Sequence, residues 1–216
     1  MKRSMSKIIA KANKKATAKN KEEEEEEECD DEDLVYRVGT AVFFNTDVHS
    51  KSVSLLRKKL FEASEHALKS SNTLDTPRVA LYINSEGGDV LDGLAASSLI
   101  KNNMVDTVTI ADGFVASSAT LLFLAGKTRL ATKGTRILIH QLSSVAAGTL
   151  SEIEDETENC KKLMKYLKKF YLKTTTFSEE ELDDIIKNEK DLGLKECKRF
   201  GIVHSSLDSF LEKKRA

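Results

Sequence analysis

The chain has 216 residues, 40% of them hydrophobic and 6% aromatic, with a formal net charge of −1; that length suits one ordinary domain with a real core, or a domain and a tail. The balance conceals an asymmetry, because residues 1–21 carry eight Lys or Arg and no acid while residues 22–33 carry eleven acids. Beyond that point basic residues are matched by acids with no aromatic interleaving, which argues against a nucleic-acid-binding surface.

The seven consecutive glutamates Glu22 to Glu28 repel one another and offer nothing to bury, so residues 1–33 are expected to be a disordered charged tail, basic then acidic. The ordered domain is expected over 34–216. No apolar segment follows the basic N-terminus as a secretory signal requires, and the tail uses Lys where organelle transit peptides favour Arg. Val115 to Ala125, the longest apolar stretch, is too short to span a bilayer. A cytoplasmic protein without a membrane partner is the expectation. Cys29, Cys160 and Cys197 are far apart, with neither a CxxC motif nor a neighbouring His, which points to reduced thiols and no structural metal.

From Leu34 the pattern alternates between two periods. Leu34 to Phe44 reads as strand, and Ser50 to Ser71 as a helix with Val53, Leu56, Leu60, Ala63 and Ala67 on one face. After a break holding the only proline, Pro77, the run Val79 to Ile83 reads as a strand buried on both faces. Helices are expected over 91–101 and 116–125, the latter closed by Gly126, with a strand over 105–111 between them. Strands at 128–131 and 136–140, a long helix over 150–173, a helix after Ser178, a short helix over 195–200 and a strand near 202–204 complete the chain. Such strand–helix repetition implies an α/β fold with crossover connections.

Three elements can carry chemistry. Gly87-Gly88 follow a strand and would let backbone N–H groups approach a ligand. Ser117 lies in Gly113-Phe-Val-Ala-Ser117-Ser118, at a strand-to-helix junction where an N-cap is the plain alternative. His140 ends the strand Arg136-Ile-Leu-Ile-His140, and an imidazole is the common side chain able to take a serine's proton near neutral pH. Gly126-Lys-Thr128 looks like the end of a phosphate-binding loop, but the glycine required five residues earlier is Leu121.

Together these segments resemble the proteolytic subunit of the Clp protease, a resemblance running from about residue 34 to 206. Leu81-Tyr-Ile-Asn-Ser-Glu-Gly-Gly-Asp-Val90 is similar to its YINSPGG segment, Gly113 to Gly126 to its nucleophile segment, and Arg136-Ile-Leu-Ile-His140-Gln141 to its IHQ segment. The resemblance implies a ClpP/crotonase-like fold of repeated strand-strand-helix units with a protruding handle helix at 150–173. It implies a serine endopeptidase with Ser117 as nucleophile, His140 as base and an oxyanion hole from the N–H groups of Gly87 and Ser118. The triad acid falls on Glu189 by ungapped counting from Phe200-Gly201, or on Asp191 with a short gap. Implied partners are unfolded polypeptides, copies of itself in stacked seven-membered rings, and a Clp-type unfoldase. The chain itself would hold no cofactor, ATP being used by the unfoldase. Departures are Glu86 for the proline of the turn, Leu142 for the proline after IHQ, and His204 for the terminal Asp; they resemble divergent phage or viral members as much as housekeeping ones. Two other readings remain: a non-catalytic subunit co-assembling with an active paralogue, and a crotonase-like acyl enzyme that would not need Ser117.

Overall fold

The structure, a computed structural model, describes residues 31–71 and 76–215. The expected tail lies outside the described residues except for Asp31–Asp33, which belong to a four-residue helix, α1 (Asp31–Leu34). Residues 31–216 form one compact unit.

Leu34 to Phe44, expected as one strand, is a hairpin. Gly39, at φ 58°, turns β1 (Val35–Val38) back onto β2 (Ala41–Phe44), and glycine is the residue that adopts this angle without penalty. In α2 (Ser50–Ser70) the five apolar residues picked out by their spacing are all buried. Its N-cap is His49, whose ring accepts from Ser52 N–H while Ser52 Oγ accepts from His49 N–H. Strand β3 (Arg78–Ser85) follows, then α3 (Val90–Lys101), capped by Asp89 accepting from the N–H groups of Leu91 and Asp92.

Strand β4 (Asp106–Ala116) is five residues longer at its C-terminal end than the expected strand. Its first half pairs in parallel with β3 and with β5 (Thr128–Ala131); its second half, past Gly113 at φ 107°, pairs with β6 (Arg136–Leu138). That extension shortens the helix expected over 116–125 to α4 (Ala119–Leu124). Gly126 does not act as a left-handed cap. It is required because a Cβ there would lie 2.1 Å from Thr109 Oγ1.

The chain continues through α5 (Leu150–Thr174), α6 (Glu179–Asn188), β7 (Asp191–Gly193), α7 (Leu194–Arg199), β8 (Ser205–Ser206) and α8 (Leu207–Arg215). Sequence patterning missed β7 and α8 and set the last strand a few residues early. The sheet runs β1-β2-β3-β4-β5-β8, with β6 branching from β4 and carrying β7 antiparallel on its far side.

One sheet face carries Val42, Phe44, Val79, Leu81 and Ile83 beneath the helices and holds the main core. The opposite face is more thinly covered: Val108, Ile110 and Leu130 pack with Ala80, Tyr82, Leu207 and Phe210, and Tyr36, Phe43 and Tyr82 stack in a row at 4.7 and 4.8 Å. The strand at 79–83 is therefore buried fully on one face and only partly on the other, not on both as expected. Helix α5 follows the same logic. Thr149 and Glu152 cap it reciprocally, yet only Leu167 and Tyr171 near its C-terminal end are buried, and Leu150 at its start is 73% exposed.

Candidate active site

Ser117 is the first residue past β4, and β6 runs alongside that strand. The ladder continues one step beyond β4: Ser117 N–H donates to Leu138 O at 3.0 Å. His140 lies two residues past Leu138, so Ser117 and His140 leave neighbouring parallel strands at the same end. Both line one cleft of about 680 Å³ walled by α3, α4, α5 and the segment Gln141–Ser144.

Ser117 has φ 52°, a left-handed conformation that costs a non-glycine residue about 1–3 kcal/mol and that concentrates at functional sites. The surrounding backbone enforces it. Its N–H is held by Leu138, and its carbonyl accepts from Thr120 N–H at 3.0 Å and Thr120 Oγ1 at 2.6 Å. A plain N-cap would accept a helix N–H through its own hydroxyl; Ser117 Oγ makes no such bond, and the cap residue of α4 is Ser118, without a side-chain cap bond.

His140 Nδ1 lies 2.7 Å from the carbonyl of Gln141. A carbonyl only accepts, so Nδ1 donates to it, which leaves Nε2 as the ring nitrogen that could serve as a general base. The candidate acids do not hydrogen-bond to this ring. Asp191 is bound by Arg136, with Nε 2.9 Å from its carboxylate. Glu189, the C-cap of α6 at φ 47°, is exposed. The β6–β7 register runs Arg136↔Gly193, Ile137↔Leu192, Leu138↔Asp191 and ends there; His140 and Glu189 each lie two residues beyond its last pair.

The two glycines differ in a way the sequence does not reveal. Gly87 N–H already donates to Ser85 Oγ at 3.2 Å. Gly88 lines the cleft, and its N–H has no acceptor among the described residues; a Cβ there would fall 2.3 Å from Val48 O. Gly88 sits in a parallel bridge with Val48, between the bonds Val48 N–H to Gly87 O at 2.6 Å and Asp89 N–H to Val48 O at 2.7 Å. Gly87 in turn packs beneath the nucleophile, where a Cβ would meet Ser117 Cβ at 2.6 Å. Ser118 N–H likewise has no acceptor among the described residues.

A protein-family model described as Clp protease matches residues 24–209. The chain belongs to the Clp protease family. Among solved structures, a ClpP1 mutant from Listeria monocytogenes aligns with a TM-score of 0.65 at 22% identity, over 78% of this chain and 91% of that one. The Clp-family chain thus has the ClpP/crotonase-like fold expected from its motifs, with α5 as the handle. Sequence reasoning singled out Gly88 beside Gly87 but gave the oxyanion role to Gly87; the two differ through the bridge of Gly88 to Val48. Thr120 and Tyr171 were passed over, because both read as ordinary core. Among the described residues no helix is long and apolar enough to cross a membrane.

Proposed function

We propose that this Clp-family protein is a serine endopeptidase that hydrolyses peptide bonds of unfolded chains through Ser117 and His140. The observation carrying the reading is the strained Ser117, tied by its own N–H to the strand that delivers His140 into the same cleft. Ser117 Oγ attacks the carbonyl carbon while His140 Nε2 takes its proton, then returns that proton to the leaving amine. The developing oxyanion is met by Ser118 N–H and a glycine N–H. Gly88 serves better than Gly87, whose N–H is already engaged. Removing one such donor typically costs about 10²–10³ in rate. Glu189 is the acid we favour, because Asp191 is already held by Arg136; it would reach Nδ1 once the Gln141 contact is exchanged for it.

Copies of the chain assemble in stacked rings through the handle, whose N-terminal half keeps Leu150 and Ile153 exposed. Unfolded substrate is delivered by a Clp-type unfoldase that supplies the ATP hydrolysis. The test is labelling of the assembled protein with a fluorophosphonate, wild type against Ser117→Ala. Label on wild type alone supports the reading.

A second reading rests on a specific contact: His140 Nδ1 is bonded to a backbone carbonyl where a carboxylate would stand. A non-catalytic subunit that co-assembles with an active paralogue would show this arrangement permanently. Folded, assembled protein that takes no label decides for it.

A further inference from the structure

A buried hydroxyl relay connects the handle to the nucleophile turn. Thr120 is the only polar residue in α4, an otherwise apolar segment of Ala, Leu and Phe, and it is 1% exposed. Its Oγ1 lies 2.6 Å from Ser117 O and 2.7 Å from the hydroxyl of Tyr171, which reaches in from α5 and is 4% exposed. The direction of both bonds is fixed by chemistry. Ser117 O only accepts, so it takes the single proton of Thr120, and Tyr171 must donate to Thr120. Burial pushes the Tyr171 hydroxyl up to about 12, so it keeps its proton at any working pH.

The end of this relay matters because of the peptide plane it reaches. The Ser117 carbonyl and Ser118 N–H belong to one trans peptide unit, so the two dipoles point in opposite directions and turn together. Holding the carbonyl on one side aims the N–H on the other. Hydrogen bonds in series also polarise one another, which strengthens that N–H as a donor. Packing alone gives no reason for two hydroxyls here, since Val and Phe would fill the same volume without burying polar groups.

We infer that Tyr171 is a positioning residue of the active site, orienting the Ser118 N–H through Thr120 and the Ser117 carbonyl and so linking the seating of the handle to oxyanion stabilisation. The inference rests on the serine-peptidase reading and deepens it. Tyr171 touches no substrate; it acts on the reaction only through the peptide unit it holds.

The experiment measures, on assembled protein, the rate of fluorophosphonate labelling at Ser117 together with kcat and KM on a fluorogenic peptide. Tyr171→Phe and Thr120→Val keep the packing and each remove one hydroxyl. Each should lower labelling and kcat roughly 10-fold, less than the loss of a donor outright, with KM little changed. The double variant should be no worse than the weaker single, because both break one chain, and Thr120→Ser should restore the rate lost in Thr120→Val. Single variants within about two-fold of wild type, losses that multiply in the double, or Thr120→Ser as slow as Thr120→Val would each overturn the relay. Folded wild type that takes no label would overturn the hydrolase reading and the relay with it; labelled wild type beside unaffected variants overturns the relay alone.

Discussion

Arg136 reaches across the β6–β7 pair to hold Asp191, its Nε 2.9 Å from the carboxylate. The contact bonds one of the two candidate acids to a cation and leaves Glu189, two residues earlier at the end of α6, with no ion pair among the described residues. Glu189→Gln is therefore expected to lower kcat on a peptide substrate by about 10-fold or more, as expected when the group orienting a catalytic imidazole is lost. Asp191→Asn should cost only about 0.2–1 kcal/mol of stability, the range of an exposed ion pair, with kcat near wild type. Steady-state kinetics of the two variants side by side reverse the assignment if Asp191→Asn is the slower.

Ser117→Gly separates strain from chemistry. Glycine relieves the left-handed strain at φ 52° but gives back part of the gain as chain entropy, leaving a net stabilisation of about 1 kcal/mol. Ser117→Ala loses the hydroxyl and keeps the strain. Denaturant midpoints should rise for Gly and not for Ala, with fluorophosphonate labelling abolished in both; equal midpoints would show that the turn stores no strain.

His204 gives a pH dependence of definite sign. Its Nδ1 accepts from Arg129 N–H at 3.1 Å and must be unprotonated to do so. Burial first, and then the Arg129 guanidinium, hold its pKa below the ordinary 6.5. The unfolded chain takes up the proton first as pH falls. The stability His204 contributes is therefore present above the unfolded value and is lost as pH drops through the folded one. Thermal midpoints should fall more steeply on acidification in wild type than in His204→Asn, whose side-chain oxygen accepts without titrating. Parallel slopes would remove His204 from the account.

Gly126→Ala tests the packing of β4 against the end of α4. The added Cβ would lie 2.1 Å from Thr109 Oγ1, which is itself bonded to Phe123 O at 2.7 Å. Overpacking of this kind is expected to cost about 1–3 kcal/mol in urea denaturation. A variant as stable as wild type would mean that Thr109 turns away freely.

Much of this molecule is legible in its sequence because backbone period and burial share one cause. The 3.6-residue spacing of Val53, Leu56, Leu60, Ala63 and Ala67 is the buried face of α2, and Ser178 announces the helix it caps. What escaped depends on partners distant in sequence. Strand β4 runs on to Ala116 because β6 is there to pair with it, and the period of residues 116–125 cannot express that. Strand β7 exists only as a neighbour of β6. In the site, Ser117 and His140 could be singled out, whereas choosing between Gly87 and Gly88 required the bridge to Val48, and Thr120 and Tyr171 become neighbours only once α5 folds back over α4.

The bond from Ser117 N–H to Leu138 O uses main-chain atoms alone. Any residue except proline can supply that N–H, and every residue can supply that carbonyl, so mutation can rewrite the side chains around the cleft without erasing this join. The distance between the two strand ends is inherited with the ladder itself. Divergence should then accumulate unevenly, sparing where Ser117 and His140 stand and falling on parts located by side chains, such as the acid.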